Sequence, residues 1–418
     1  MPRSVSGHTS GHTSGPSPRE FVAMIAMLFA TIALSIDAML PALPAIAAEL
    51  TPGDVNAAQL VIGVFFAGMG VGTLISGPIS DAIGRKSTLL ICAVIYLAGS
   101  ALCAAAPSLE MLLFARFLQG IGASGPRAAG VAMVRDLYKG AEMARIMSFV
   151  MMIFSLVPAA APLLGQFILL FGSWRLIFVA FIFFALAVNL WMALRQPETL
   201  APQDRRPLEL GLLWQATKEL AHHRIAVIGT LCQTLTSASL VATLSSQQGI
   251  FADRFGSVET FPAWFAVIAL CSISGSYANS QMVRRLGMFT VVRASYSGQL
   301  VMTLGVLGLI TLIALPLPVE FALHILWSIG IFATMGLTMG NLNAMAMERL
   351  GHIAGFAASV ITAVSTVLSV LIAVPVGLAF NGTQIPLMIG ASVFSALALM
   401  LVLTLNPKRA QGETFPSG

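Results

Sequence analysis

Asp37 is the residue of this chain best placed to handle a proton. Among 17 acidic residues it alone falls deep inside a long apolar run, 21–48. If that run is a helix rising about 1.5 Å per residue, Asp37 lies roughly 16 Å from the run's far end. An ionised acid at such a depth is costly unless it meets water or a partner. Two readings stand. Asp37 is a solvated or helix-bending aspartate, or it is a carrier that gains and loses a proton as its surroundings alternate.

Arg116 is the natural counterpart. It sits in the fourth apolar run, 109–134, about 10 Å from the same membrane edge. A lone arginine there should face a cavity and pair with an acid, a carbonyl or a substrate; a buried salt bridge that only joins helices is the alternative. Gln119, Gly120, Ala123 and Arg127 come after it at helical spacing and share the face of Arg116. That stripe lines a pathway, or its glycines serve close helix packing.

A third group is the turn from Gly77 to Lys86, which holds Asp81, Gly84 and Arg85 between two long apolar runs. A polar turn this short makes its flanking helices antiparallel and suggests a hinge between moving parts. Gly77 would admit a neighbouring helix, and Asp81 can sit at the positive N-terminus of another helix. Lys86 is read as a topological charge only. Asp136, just past the fourth run, is a second candidate partner. In the fifth run Pro158, Pro162 and Gly165 are spaced to share one face.

The second half carries no charged residue placed deep in its membrane interior. Gln233, Thr234, Ser237, Trp327 and Thr334 offer hydrogen bonds and stacking, and His324 is placed at the outer interface. With 25 Phe and 21 Met in the chain, a pocket here would be apolar and adaptable.

The elements that must position these residues are set by composition. The chain is 57% hydrophobic and only 9% charged, far from a soluble domain. Twelve runs are long enough to span a bilayer: 21–48, 57–79, 87–106, 109–134, 146–171, 174–195, 225–250, 261–283, 290–315, 319–347, 353–380 and 384–405. If they alternate from a cytoplasmic N-terminus, 18 of the 22 Lys and Arg residues fall on the cytoplasmic side. That asymmetry obeys the positive-inside rule and puts both termini inside. The net charge of +5 is thus a topology signal, spread over loops, and no nucleic-acid partner is expected. The four cysteines lie within the runs and read as packing residues, without paired or metal-binding spacing. No metal cluster, nucleophile–base pair or phosphate-cradling loop is found, so neither an enzyme nor a cofactor is expected.

The longest loop, 196–224, has three prolines near its start and divides the chain into a six-helix unit at 20–195 and another at 225–405. Residues 1–19, where Gly-His-Thr-Ser occurs twice, and 406–418 read as cytoplasmic tails, the first one disordered. A faint repeat supports duplication: Val283-Arg-Arg-Leu-Gly287 occupies the place in the second half that the 77–86 turn has in the first. Two such bundles suggest a transporter with its substrate site between the halves.

Several motifs then converge. Gly77-x3-Asp81-x2-Gly84-Arg85-Lys86 resembles the signature between helices 2 and 3 of the major facilitator superfamily. Arg116-x2-Gln119-Gly120-x-Gly122 is similar to a helix 4 motif of its proton-coupled members. Asp37-x3-Pro41-x2-Pro44, Ser124-Gly-Pro-Arg127, Pro158-x3-Pro162-Leu-Leu-Gly165 and Gly351-His-Ile-Ala-Gly355 resemble the bicyclomycin/chloramphenicol-resistance (Bcr/CflA) branch of drug–proton antiporters. The fifth run departs from the antiporter pattern at Ala159–Ala161 and Gln166, where glycine is common.

The resemblance spans about residues 20–405 and implies an all-α fold of twelve helices in two pseudo-symmetric bundles. It also implies that Asp81 docks on helix 11 near Gly351 to hold an outward-open state, and that the kink expected at Pro158, Pro162 and Gly165 in the fifth helix has a conformational role that includes limiting proton leak. A kink that serves packing alone is the alternative reading. The expected function is proton-coupled export of lipophilic or amphipathic drugs by a monomer in a bacterial inner membrane. Its partners would be a small-molecule substrate, protons and the lipid bilayer. A proton-coupled importer of a small metabolite is the alternative reading, and a non-transporting receptor a weaker one.

Overall fold

The computed structural model describes residues 15–205, 210–347 and 354–405. Among them every regular element is helical. Eleven helices are long and apolar enough to cross a membrane: α1 (Pro18–Leu50), α2 (Val55–Ile83), α3 (Arg85–Ala104), α5 (Arg145–Leu169), α6 (Arg175–Arg195), α7 (Arg224–Arg254), α8 (Val258–Leu286), α9 (Met288–Leu312), α10 (Leu317–Met347), α11 (Phe356–Leu378) and α12 (Ile385–Leu403). The remaining predicted run, α4, is built from three consecutive pieces, Leu109–Ala123, Pro126–Gly130 and Val131–Leu137. None of these pieces is long enough alone. Pro126 has no N–H to continue the ladder, and the chain passes it as a wide π turn.

Local signals set the ends. Ser17 caps α1 by accepting a hydrogen bond from Glu20 N at 3.2 Å, with Pro18 at the first helical position. Ser108 caps α4 in the same way through Met111 N. Gly84 and Gly287 turn α2 into α3 and α8 into α9 at φ of 111° and 79°, a backbone that side chains with a Cβ rarely adopt. The repeated turn predicted from the sequence is therefore repeated in shape.

Lipid-facing surfaces are apolar, with Phe171, Phe183, Leu194, Val301, Leu312 and Leu371 exposed. Within the first half α4 packs on α2 and α3, and α1 packs on α5 and α6; within the second, α10 packs on α7, α8 and α9, and α12 on α7 and α9. The halves meet along α2–α11 and α5–α8. Between the runs 20–195 and 225–405, the regular elements among the described residues are a short turn, Pro202–Asp204, and a linker helix, Leu210–His222. Sequence assignments on 1–14, 206–209, 348–353 and 406–418, including the first three residues of the Gly351–Gly355 motif, lie outside the described residues.

Candidate functional site

A cavity of about 1610 Å³ lies between the halves, with walls from α1, α2, α4 and α5 on one side and α7, α8, α10 and α11 on the other. Much of the wall is aromatic or sulfur-bearing: Phe29, Phe66, Phe154 and Phe332 with Met69 and Met335. Its lining continues to Asp81, Arg85, Asp136, Asp204 and Glu219, so it opens at the arginine- and lysine-bearing end. The other end is held shut between the halves. There Asn56 Nδ2 donates to the carbonyls of Leu378 and Phe380 at 3.1 and 2.8 Å, and Gln166 Nε2 donates to Glu259 O at 3.3 Å.

Asp37 is on that cavity wall. It is the last residue of the regular part of α1; a 3-10 turn, Leu40–Ala42, and a short helix, Leu43–Leu50, complete the span. Pro41 and Pro44 lack the N–H groups that would continue the ladder past Asp37. The side chain is only 5% exposed, yet it forms no hydrogen bond or ion pair with any described residue. A carboxyl in this position has the cavity as its one source of partners.

Arg116 is not the cation that faces it, and here the sequence expectation is corrected. Arg116 is wholly buried inside the first half and does not line the cavity. Its Nη1 and Nη2 both donate to Ser35 O at 3.2 Å, Nε donates to Val61 O at 3.2 Å, and Nη1 also donates to Gln119 Oε1 at 2.6 Å. The guanidinium lies 4.3 Å from the Phe65 ring centroid, a favourable cation–π distance. Gln119 passes the network to Ser100 Oγ at 2.7 Å, and Ser35 Oγ meets Tyr96 Oη at 2.5 Å. A planar fork with five donors can saturate carbonyls on two helices at once. Arg116 and Gln119 therefore stitch α1, α2, α3 and α4 together behind the wall. Ala123 is likewise buried away from the cavity. Gly122 belongs to the same packing: a Cβ there would lie 2.3 Å from Tyr96 N on α3.

The cavity's cation beside Met69 is Arg127. The π turn carries it onto the wall, where its one described hydrogen-bond contact is a weak Nη1 approach to Met69 Sδ at 3.9 Å. π turns inside helices recur at functional sites. Pro126 was the sequence signal for this turn.

At the open end, Arg85 is the centre of the 77–86 turn. It is almost completely buried, pairs with Asp81, and donates from Nε to Asp136 Oδ2 at 3.0 Å. Gly77 faces α11, with Ser359 Oγ 3.3 Å from where a Cβ would be. The sequence reading missed Glu198. Its carboxylate accepts from the Arg85 and Lys86 backbone N–H groups at 2.8 and 3.1 Å, and from Thr199 N and Leu200 N. It thus caps the N-terminus of α3, where the helix dipole favours an anion, and ties the first residues after α6 to the hinge turn. Lys86, read as a topological charge, also donates from Nζ to Ala193 O at 2.7 Å. Distance along the chain hid these contacts.

On α5, Pro158 lines the cavity, whereas Pro162 and Gly165 are buried. Gly165 touches the α1 break directly: a Cβ would lie 1.9 Å from Ala38 O. The helix itself stays continuous through both prolines, Gly140–Leu169.

In the second half, three further candidates leave the cavity. Trp327 is fully buried and donates to Thr303 Oγ1 at 3.0 Å. Gln233 is buried and donates to Asn343 Oδ1 at 3.1 Å, so Asn343 lines the wall in its place. Ser237 is half-buried and lies off the lining. Leu240 and Leu244 are the α7 residues that face inward. His324 is not interfacial but fully buried, and Cys271, expected to pack, is exposed. Depth can be counted from a sequence; the azimuth of a polar side chain on a helix that is apolar all round cannot.

Paired helical halves around a polar-studded, largely apolar central chamber define a membrane transporter fold. The Major Facilitator Superfamily profile matches residues 23–374. The chain is 31% identical over 385 residues to the protein described as uncharacterized MFS-type transporter YdgK of Bacillus subtilis (strain 168), covering 91% of this chain and 94% of the relative. It is 26% identical to the bicyclomycin resistance protein homolog of Haemophilus influenzae (strain ATCC 51907 / DSM 11121 / KW20 / Rd), covering 94% and 98%. Among solved structures, a D-xylose-proton symporter superposes with a TM-score of 0.73 at 14% identity, covering 94% and 99%, a likeness of fold alone. The chain belongs to the Major Facilitator Superfamily.

Proposed function

We propose that this protein is a proton-coupled exporter of lipophilic or amphipathic drugs and not an enzyme. The observation that carries the reading is an unpartnered carboxyl, Asp37, on the wall of a large cavity rich in Phe and Met. Rings and thioethers adapt to varied apolar shapes, and a lone acid in such a wall binds either a proton or a cationic group. The names of the Haemophilus influenzae relative and of other relatives called multidrug resistance protein MdtL support a drug as the cargo. The positive-inside pattern supports a bacterial inner-membrane setting with the cavity open to the cytoplasm.

The cycle runs through the parts described. A drug enters from the cytoplasm and occupies the chamber beside Asp37. The halves 20–195 and 225–405 rock about the α2–α11 and α5–α8 contacts and expose the chamber to the outside. The drug leaves, Asp37 takes a proton, and the protonated carrier returns. Linker 196–224 reports this motion to the hinge turn through Glu198. The cavity walls all come from one chain, and this supports reading the working unit as a monomer.

The test is drug-stimulated proton movement in proteoliposomes under an imposed pH gradient, with Asp37→Asn beside the unmodified protein. Export coupled to protons in the original and lost in the variant is expected. Unchanged coupling in the variant would remove Asp37 from the mechanism.

A further inference from the structure

Five buried side-chain polar atoms among the described residues have no hydrogen-bond partner, and four of them belong to one column in the second half: both ring nitrogens of His324, Gln247 Oε1 and Gln384 Oε1. The column consists of two hydrogen-bonded clusters with the His324 ring between them. Glu320, His324 and Ser328 are spaced at one helical turn each on α10, so they stack on one face. At its outer end Glu320 accepts both nitrogens of the Arg254 fork at 2.8 and 2.6 Å, and Gln384 Nε2 at 2.9 Å. At its inner end Gln247 Nε2 donates to Ser328 Oγ at 3.1 Å. Arg254 is 41% exposed while Glu320, His324, Ser328, Gln247 and Gln384 are all buried, so the column runs from solvent into the protein. It stops about one turn from Leu244 and Phe332, both on the cavity wall.

An imidazole held without partners in an apolar cage is expensive, because burying an unpaired polar group costs on the order of 1–3 kcal/mol. The cage is otherwise aromatic, with Phe255, Trp327 and Phe251 ring centroids 5.5, 5.8 and 6.2 Å from the imidazole. Packing alone would favour leucine or phenylalanine at this position. What histidine adds is a site that accepts a proton on one nitrogen and releases one from the other. Of the charged side chains on the elements packed around it, Glu320 on α10 and Arg254 on α7 belong to the column. Asp253 at the end of α7 and Glu259 at the start of α8 are exposed, and Arg224, Arg284, Arg285 and Arg293 lie at the opposite ends of their helices. The neutral Gln384 precedes α12 and the neutral Gln247 is on α7.

We propose that Glu320, His324, Ser328 and Gln247 form a proton path through the second half, from the outer rim at Arg254 to the depth of the cavity wall, with His324 as its relay. Because no hydrogen bond joins the His324 ring to its described neighbours, the path requires water at these atoms to complete the chain of donors and acceptors. In each passage one nitrogen of the imidazole takes a proton from the outer side and the other nitrogen gives one up to the inner side. The ring is left as the opposite tautomer and resets by flipping, so no net charge stays buried. The path is a second route for the outside proton that the proposed export cycle consumes and rests on that reading; it uses none of the cavity's residues.

The experiment uses the full chain in proteoliposomes with a pH-sensitive dye inside and ethidium as the transported probe. His324→Gln keeps a polar amide of similar size but cannot titrate, and His324→Phe matches the apolar cage. Probe-dependent proton flux is expected to fall at least about tenfold in both, with ethidium binding unchanged. If the glutamine variant keeps the original flux and its dependence on outside pH, the relay is overturned and the site is a structural polar pocket. A second readout does not depend on transport: imidazole nitrogen resonances of 15N-histidine-labelled protein, with His324 assigned by its loss in His324→Gln. Exchange of its ring proton with water, tracking outside pH, is expected. A static ring insensitive to pH overturns the path even if export is coupled. A path that exchanges protons in a protein without coupled export would instead refute the proposed function.

Discussion

The contact between Gly165 and the α1 break allows the proposed coupling to be tested by adding one methyl group. A Cβ at 165 would lie 1.9 Å from Ala38 O, 2.8 Å from its carbonyl carbon and 3.2 Å from its Cα. All three are backbone atoms and cannot swing aside as a side-chain tip would. To regain ordinary contact at 3.4 Å, the helices must part by about 1.5 Å, which is 3.4 less 1.9. Ala38 comes immediately after Asp37, so the carboxyl moves with the break. Overpacking of this kind costs about 1–3 kcal/mol in stability. Misplacement of a reacting group by about 1 Å can cost on the order of 100-fold in rate. Gly165→Ala is therefore expected to lower proton-coupled drug transport by about 10- to 100-fold, with only a modest loss of thermal stability. The assay is drug-driven proton movement in proteoliposomes, alongside a melting curve. Leu164→Ala, whose side chain is 45% exposed on the lipid side, serves as the control and should transport normally. Gly165→Ala with the original transport rate and melting temperature would refute the reasoning.

Three more substitutions probe the site. Arg116→Lys loses the fork that saturates Ser35 O and Val61 O, so it should destabilise the fold by about 2–4 kcal/mol. It should leave the proton-to-drug ratio unchanged, measured by denaturation and by flux stoichiometry. Glu198→Ala removes the cap on α3; a loss of about 1–2 kcal/mol is expected in unfolding, with slower transport at unchanged drug affinity. Arg127→Gln removes the arginine of the cavity wall beside Met69. Transport of cationic drugs should rise relative to anionic ones, read as the ratio of their rates, and an unchanged ratio would exclude Arg127 from substrate selection.

The membrane helices, the two-half layout and the position of Asp37 along its helix are all legible in the order of the amino acids. Each rests on hydropathy, turn chemistry or counting along an axis, and these are properties of consecutive residues. The twin glycine turns after α2 and α8 were legible because a positive φ leaves glycine as the residue without strain. Which polar residues meet is settled only once the helices pack. Arg116 and Arg127 were assigned to one face at regular helical spacing, but the regular helix ends at Ala123 and Arg127 sits inside the π turn Pro126–Gly130. Packing against α1 and α2 gives Arg116 their carbonyls, while Arg127 lines the cavity. Glu198 reached α3 across 113 residues of chain, and His324 was enclosed by rings from another helix. A helix that is apolar on every side gives no amphipathic stripe from which to read such directions, and only the packed neighbours supply them.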